Sequence, residues 1–300
     1  MSAPAAAPSV RDGYALLRSG GPAAVRGRAG LVWVEGPDAA AFLHGLLSND
    51  VEGLAAGEAR PALFLDAKGH IQVDVRVRRD AADAFTLVTG AALAPLLAEL
   101  LERYHFSEDL DVIGPEEVDV VTVAGVDPSA AGGDLPALAG AVPGTTDLLV
   151  DDPGAALAAL GAPEVPAEAL EMLRIAAGVP AVGVDTGPST LVQEVGLQDA
   201  AVSFDKGCYL GQETVARVRY RGRVNRLLRG LAMPGDGAPA GGAVTSGGRE
   251  VGRLTSAAVT PDLGAIGLAV LRHEVEPGAS VDVEGATGPA RVVDLPFPRS

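Results

Sequence analysis

Helical periodicity stops at Arg226, and that break divides this 300-residue chain into two kinds of sequence. Before it, apolar residues recur at helical spacing in some stretches and alternate in others, so helices and strands are interleaved. After it, glycine and valine rise, and turns such as Pro234-Gly235 and Gly247-Gly248 separate short apolar runs. Runs near 227–233, 250–259, 265–272, 280–284 and 290–294 fit the strands of a small antiparallel barrel. The expected organisation is a loose tail over 1–14, an α+β region over 15–225 and a barrel domain over 226–300.

In the first region, Gly30-Leu-Val-Trp-Val-Glu35 reads as a strand. Gly36-Pro37-Asp38 then opens a helix whose apolar face is Phe42, Leu43, Leu46 and Leu47, ended by Ser48-Asn49-Asp50. Ile71, Val73, Val75 and Val77 alternate with Gln72, Asp74, Arg76 and Arg78. Segments 60–66 and 71–78 therefore form a hairpin around Ala67-Lys68-Gly69-His70, with one face in the core. A strand at 84–89, a helix at 91–104 and strands at 110–113 and 118–124 follow, and the short connections favour antiparallel pairing. Further on, the pattern gives a strand at 147–150, a short helix, and a helix over 166–177 that starts at Pro166 and stops at Gly178. Val179 to Gly196 reads as an ordered loop whose one glutamate is Glu194.

Rare chemistry is concentrated in Lys206-Gly-Cys-Tyr-Leu-Gly-Gln-Glu213, which holds the only cysteine and one of the two lysines. Residues 200–204 read as a strand, 205–207 as a turn, and Leu210, Thr214, Val215 and Val218 mark a helix running to Gly222. Cys208 is thus expected at a turn leading into a helix N-terminus, where unpaired N–H groups, the helix dipole and Lys206 all favour a thiolate. A free thiol is only about 3% ionised at pH 7, and a fall of about two pKa units makes it mostly thiolate. The alternative, a small buried hydrophobe, stays open. Arg217, Arg219, Arg221, Arg223, Arg226 and Arg229 follow as a basic island, read either as a solvated face or as an anion-recognition surface.

Composition excludes several classes. With 48% hydrophobic residues and a mean hydropathy of +0.25 the chain is not disordered, yet it has no apolar run of about 18 residues and no signal-peptide pattern at its start. The net charge of −16 argues against general binding to nucleic acid or to an anionic membrane. A single cysteine precludes an intramolecular disulfide, fits a reducing cytoplasm, and cannot alone supply the soft ligands of an iron–sulfur cluster, so no metal ligands are assigned. Walker A, Gly-x-Gly-x-x-Gly, Gly-x-Ser-x-Gly and His-Glu-x-x-His patterns are all missing, and His44, His70, His105 and His273 are scattered.

Three runs carry a family resemblance: Leu173-Arg-Ile-Ala-Ala-Gly-Val-Pro-Ala-Val-Gly-Val-Asp185, Gln193-Glu-Val-Gly-Leu197, and Val202-Ser-Phe-Asp-Lys-Gly-Cys-Tyr-Leu-Gly-Gln-Glu-Thr-Val-Ala-Arg217. Together they closely resemble the YgfZ-type folate-binding proteins of the glycine-cleavage aminomethyltransferase superfamily. Weaker similarity runs through Gly36-Pro-Asp, Phe42-Leu-His-Gly, Ser48-Asn-Asp-Val and Lys68-Gly-His-Ile.

The resemblance implies a cloverleaf of α+β subdomains around a tetrahydrofolate pocket with a C-terminal β-barrel. It also implies a cytoplasmic role in iron–sulfur cluster assembly or repair, linked to tRNA modification through cluster-dependent enzymes. Glu194 matches the glutamate that reads the pterin edge, a task suited to a carboxylate that accepts parallel bonds. Asp74 is placed near the folate's reactive nitrogens, and Tyr209, Gln212, Glu213 and Arg217 belong to the cofactor-binding motif. Cys208 with Lys206 is assigned thiol chemistry at the pocket edge. Two positions depart from the family: Val192 replaces a usual proline, and Val73-Asp74 has one acid where the aminomethyltransferases have two. The leading expectation is a monomeric tetrahydrofolate-binding maintenance factor whose partners are folate and iron–sulfur client or assembly proteins. Its rivals are a folate-dependent one-carbon (aminomethyl) transferase or demethylase, and an RNA-binding module disfavoured by the acidic charge and the scarcity of aromatics beside the arginines.

Overall fold

The computed structural model describes residues 8–132 and 136–298, with the backbone but not the side chain of Arg221. The first half of the chain forms α1 (Val10–Ser19), β1 (Ala23–Glu35), α2 (Ala39–Leu46), β2 (Ala59–Leu65), β3 (Ile71–Arg79), β4 (Ala84–Gly90), α3 (Ala94–Tyr104), β5 (Asp111–Ala124), β6 (Ala137–Ala139) and β7 (Thr145–Val150). The second half forms α4 (Pro153–Leu160), α5 (Ala167–Ala176), α6 (Gln198–Ala201), α7 (Gln212–Arg221) and six strands: β8 (Arg226–Met233), β9 (Ala243–Ser246), β10 (Arg249–Thr260), β11 (Gly264–Arg272), β12 (Ser280–Val283) and β13 (Ala290–Val293).

The chain divides into two compact units. One comprises Arg28–Val118 and Thr186–Leu227; the other comprises Met1–Gly27, Asp119–Asp185 and Leu228–Ser300. The barrel segment thus shares a unit with earlier parts of the chain, and the expected boundary at 226 describes connectivity rather than compactness.

In the first unit β2, β3, β4 and β1 pair antiparallel in that order. The alternation in β3 has its expected result: Ile71, Val73, Val75 and Val77 are buried, whereas Gln72, Asp74 and Arg76 are half-buried on the other face. Phe42, Leu43, Leu46 and Leu47 from the α2 segment and Leu97 and Leu101 from α3 pack into one core with Phe64, Val73, Phe85 and Leu87. Full burial of a leucine or phenylalanine contributes about 1.5–3 kcal/mol, so this face alone fixes the α2 segment on the sheet.

In the second unit β5, β7 and β6 pair antiparallel, and Leu157 and Leu160 of α4 pack on Val121, Val123 and Leu148. The C-terminal strands close into a six-stranded barrel, β10-β11-β8-β13-β12-β9, filled by Leu231, Val244, Leu254, Leu271, Val281 and Val292. The barrel is tied to the loop after α5 by the Arg174 guanidinium, which spends all five N–H groups. Two go to Glu171 (2.8 and 2.6 Å), one to Asp185 (2.7 Å), one to Ser256 Oγ (2.8 Å) and one to the Val179 carbonyl (2.6 Å). The Asp185 side chain is fully buried and also accepts from the Ala181 N–H and the Thr255 and Ser256 hydroxyls. A buried charge is tolerated only when paired and hydrogen-bonded to this extent.

Four local expectations are corrected. The tail is shorter than 1–14: α1 starts at Val10 because Ser9 caps it, accepting from Asp12 N at 3.2 Å, and Tyr14 and Leu17 are buried. Residues 1–7 of that tail lie outside the described residues. The strands expected at 110–113 and 118–124 are one strand, β5, because Gly114 takes φ +109° and carries the chain through the Gly-Pro step. Residues 200–204 are not a strand, since α6 ends at Ala201 and the chain then runs irregularly. The barrel has a sixth strand, β9, whose one strongly apolar residue, Val244, gave too short a pattern to read.

Removing one partner of the Arg174–Asp185 pair leaves a buried charge uncompensated. Asp185→Asn is expected to cost about 3–5 kcal/mol of unfolding free energy in urea titrations. A loss below about 1 kcal/mol, the level of a surface pair, would show that the network does not hold this unit together.

Candidate functional site

The expected folate and thiol residues, Asp74, Glu194, Lys206, Cys208, Tyr209, Gln212, Glu213 and Arg217, all fall in the first unit, Arg28–Val118 with Thr186–Leu227. The centre of this group is Lys206. Its ammonium donates to the carbonyls of His44, of Leu47 (2.7 Å) and of Asn49 (3.0 Å), at and just beyond the C-terminal end of α2. The last carbonyls of a helix lack intrahelical partners and carry the negative end of its dipole, so a buried cation satisfies both. Burial pulls the Lys206 pKa down to about 8, against the opposing charges of Asp50 and Glu52. That still leaves it charged at pH 7. The Lys206 ammonium also lies 5.1 Å from the centre of the Tyr209 ring, whose hydroxyl burial pushes up to about 12.

The same α2–β2 junction holds the segment before the motif. Buried Ser48 donates from Oγ to the Ala201 carbonyl at 2.6 Å and accepts the Leu63 N–H at 2.9 Å, while its own carbonyl accepts the Ser203 N–H at 3.0 Å. Asn49 donates to the Pro61 carbonyl at 2.7 Å. The motif therefore starts from an anchored chain.

Two glycines fix where α7 meets the β2–β3 hairpin. Gly211, with φ +80°, is the N-cap of α7, and a Cβ on it would lie 2.5 Å from the Asp66 carbonyl oxygen and 3.0 Å from Gly69 Cα. Gly69, with φ +81°, faces it, and its turn is closed by Asp66, which accepts the N–H groups of Lys68 (2.8 Å) and His70 (2.9 Å). The hairpin is in turn joined to the glutamate loop: Ile71 N donates to the Thr190 carbonyl at 2.9 Å, and Gln193 Nε2 donates to the Val215 carbonyl of α7 at 2.9 Å.

On that loop Glu194 is half-buried, and its Oε2 accepts the Leu191 N–H at 2.9 Å, so its own short turn holds it. Oε1 has no hydrogen-bond donor among the described residues. Beside it, Gln193 Oε1 is buried without a partner. Asp74 stands on the polar face of β3, opposite Leu63. Burial raises its carboxyl above the ordinary range, opposed by its own backbone N–H and by Arg76.

The structure joins some expected residues and separates others. The hairpin turn, the Glu194 loop and α7 are joined through Thr190, Gln193 and the Gly69–Gly211 approach, while Lys206 and Tyr209 sit together at the end of α2. Cys208 is exposed, as a reactive thiol requires, and not the buried hydrophobe of the alternative reading. It does not, however, start a helix: α7 begins at Gln212, and the dipole's influence fades beyond the first turn. The helix dipole therefore does not favour a thiolate at Cys208. Gln212 is half-buried, and Glu213 and Arg217 are exposed on α7.

The basic island is also split. Arg219 stacks 3.7 Å over the Phe204 ring, and Arg217, Arg223 and Arg226 are exposed without ion pairs among the described residues. Arg229 belongs to the other unit and pairs with Asp294 at 3.4 Å; the Arg221 side chain lies outside the described residues. Sequence reasoning missed the carbonyl cluster that seats Lys206 and the place of His44 beside it. Only the scarcity of lysine hinted that this one had a fixed task.

Comparison with known proteins gives a consistent set of matches. Residues 27–130 match the GCVT N-terminal domain, and residues 226–298 match the glycine cleavage T-protein C-terminal barrel domain. A tRNA-modifying protein YgfZ from Klebsiella pneumoniae is 27% identical, covering 89% of this chain and 90% of its own. An aminomethyltransferase from Rubrobacter xylanophilus is 31% identical over 92% of this chain and 85% of its own. Among solved structures, the glycine cleavage system aminomethyltransferase T from Bartonella henselae superimposes with a TM-score of 0.81 at 24% identity, covering 96% of this chain and 89% of that one.

The two motif glycines make opposite predictions. Gly211→Ala meets both a left-handed backbone and a carbonyl oxygen, and is expected to cost about 2 kcal/mol or more of stability. Gly207→Ala, whose Cβ meets nothing closer than 3.9 Å, is expected to cost under about 1 kcal/mol. Equal losses in thermal unfolding would show that the hairpin–α7 contact is not tight.

Proposed function

We propose that this chain, which belongs to the glycine-cleavage T-protein superfamily as a YgfZ-type member, is a tetrahydrofolate-binding factor that supports assembly or repair of iron–sulfur clusters. The observation that carries the folate half is the acceptor pair on the glutamate loop. Glu194 Oε1 has no donor among the described residues, and Gln193 Oε1 is buried without one. An amino-pyrimidinone edge presents N–H donors, which such acceptors fit, and a buried acceptor left unmade costs about 1–3 kcal/mol. Bound there, tetrahydrofolate supplies a one-carbon carrier. Glu194 reads the pterin edge, with its carboxylate already oriented by the Leu191 N–H. Asp74, its carboxyl raised by burial, stands in the role of proton holder near the folate nitrogens.

Cys208 carries the maintenance half, since an exposed thiol on an anchored loop is open to a protein client. In this reading Lys206 does not perform proton chemistry; it seats the loop. Tyr209, Gln212, Glu213 and Arg217 are proposed to line or flank the folate site. The partners are folate and iron–sulfur client or assembly proteins, and the link to tRNA modification that some relatives carry in their name runs through cluster-dependent enzymes. We place the protein in the cytoplasm as a monomer. No helix among the described residues is long and apolar enough to cross a membrane.

The rival reading, a folate-dependent aminomethyl transferase or demethylase, is favoured by the raised carboxyl of Asp74 and disfavoured by Val73, which leaves a single acid on β3. The two readings part at the thiol: Cys208→Ala leaves a transferase working and disables a thiol-dependent factor.

Glu194→Gln is expected to weaken tetrahydrofolate binding by about 1.5–3 kcal/mol, the worth of hydrogen bonds to a charged acceptor. Titration calorimetry with reduced folates measures it. An unchanged Kd would remove Glu194 from the site, and a fall in Tm with unchanged Kd would make it a loop-stabilising residue only.

A further inference from the structure

Residues 217–226 hold five arginines and no acid, in a chain with 39 acidic and 23 basic residues. A merely solvated face mixes both signs, so a run of one sign that opposes the charge of the rest of the chain points to an anionic ligand. Arg217, Arg219, Arg223 and Arg226 are exposed and make no ion pair among the described residues. Arg219 differs from the others in being held. Its guanidinium carbon lies 3.7 Å from the centre of the Phe204 ring and 6.0 Å from that of exposed Tyr220. Stacking occupies the face of the guanidinium and leaves its N–H edge open, the edge that takes a carboxylate through two parallel bonds. The ring is backed by an anchored chain, since the stretch between Phe204 and α7 is bonded to α2 by Lys206 and by the Leu210 N–H, which donates to the Gly45 carbonyl at 3.2 Å.

α7 is also the helix to which the glutamate loop is bonded. Gln193 Nε2 donates to the Val215 carbonyl at 2.9 Å, and Arg219 follows Val215 by four residues, about 6 Å along the helix axis. Glu194 is half-buried and the arginines are exposed. A ligand whose ring end is read at Glu194, and which runs outward beside α7, therefore meets them with its other end.

We propose that the arginines at the end of α7, with Arg219 as the oriented member, receive the γ-linked oligoglutamate tail of the bound folate, so that the ligand class is folate polyglutamates. The proposal rests on the folate half of the proposed function and names the form of that ligand. Folate has its N–H donors on the pterin at one end and its carboxylates at the other, with the aminobenzoyl ring between. Each further γ-linked glutamate adds one carboxylate. For such an anion a chain of net charge −16 is repulsive as a whole, and the run 217–226 is where the sign reverses. A single exposed arginine–carboxylate pair is weak and screened by salt. Several on one tail add up, because anchoring the pterin makes each later contact intramolecular. A single-stranded RNA fits less well, since Arg219 already covers one face of Phe204 and the acidic chain repels phosphates beyond the run.

The test is titration calorimetry of tetrahydrofolate and of its tri-γ-glutamate on the full chain, for wild type, Arg219→Gln and Arg223→Gln/Arg226→Gln, with Tm recorded on each. Wild type is expected to bind the triglutamate about ten-fold tighter at about 50 mM NaCl and less than about three-fold tighter at about 500 mM, as screening of exposed pairs requires. Each arginine variant is expected to lose most of that advantage at low salt, with the monoglutamate Kd moving less than the triglutamate Kd. Should Arg219→Gln fail to fold, the double variant of exposed residues carries the test. Equal Kd values for the two ligands on wild type would overturn the proposal and leave the folate reading standing, whereas binding of neither would overturn both. An advantage that survives in the arginine variants also rejects it, because the tail is then held elsewhere. Wild type with no tail preference that binds a short oligouridine RNA with a steep salt slope would make the run a nucleic-acid surface instead.

Discussion

The ammonium of Lys206 on the carbonyl oxygens of His44, Leu47 and Asn49 is the contact on which the site region depends. A helix end leaves carbonyls that must be satisfied, and here the donor comes from a distant part of the chain instead of a local glycine cap. The choice of lysine over arginine follows from shape. A compact ammonium with three diverging donors fits three carbonyls converging on a point, whereas a planar fork suits a carboxylate. One side chain therefore closes α2, starts the Cys208 loop and sets the spacing between them. Burial works against the charge, yet the fall to about 8 stops short of neutrality at physiological pH, so the clamp stays formed.

A second constraint acts at the far end of the motif. Gly69 and Gly211 let the hairpin turn and the start of α7 approach at backbone distance. Side chains at either position would push the two apart and carry with them the loop bonded to both through Thr190 and Gln193. The Glu194 carboxylate inherits its place from that packing. Its short turn needs no proline at Val192, because Val192 is fully buried and the Leu191 N–H bond to Glu194 holds the turn. The departure from the family at that position thus has a structural substitute.

Much of the architecture was legible because it follows from periodicity. The β3 alternation, the Phe42–Leu47 face, the α5 limits at Pro166 and Gly178 and five of the barrel strands all express local patterns. What was not legible depends on distance in sequence. Residues 200–204 have the composition of a strand but no neighbour to pair with, since Ser48 takes up the Ala201 carbonyl and the Ser203 N–H. The placement of Cys208 ahead of a helix was read correctly in order and wrongly in detail, because Gly211, not the Asp205–Gly207 turn, ends the irregular segment. Motif similarity identified Lys206 and Cys208 together, but only the carbonyl geometry separates their tasks.

That separation bears on which chemistry the site suits. Aminomethyl transfer needs its reactive carbon kept from water and its acids close to it. Asp74 is a half-buried acid whose carboxyl burial raises, but Val73 denies it a partner acid. Cys208 has the opposite character: exposed, held at both flanks, and reachable by groups too large to enter a pocket. A small-molecule transferase gains nothing from presenting a thiol outward, where it is open to adventitious oxidation. A factor that acts on other proteins does gain from it, provided that the thiol is anchored firmly enough to be presented in one geometry. The Lys206 and Leu210 attachments meet that proviso, so the maintenance reading accounts for both the exposure and the clamp where the transferase reading accounts for neither.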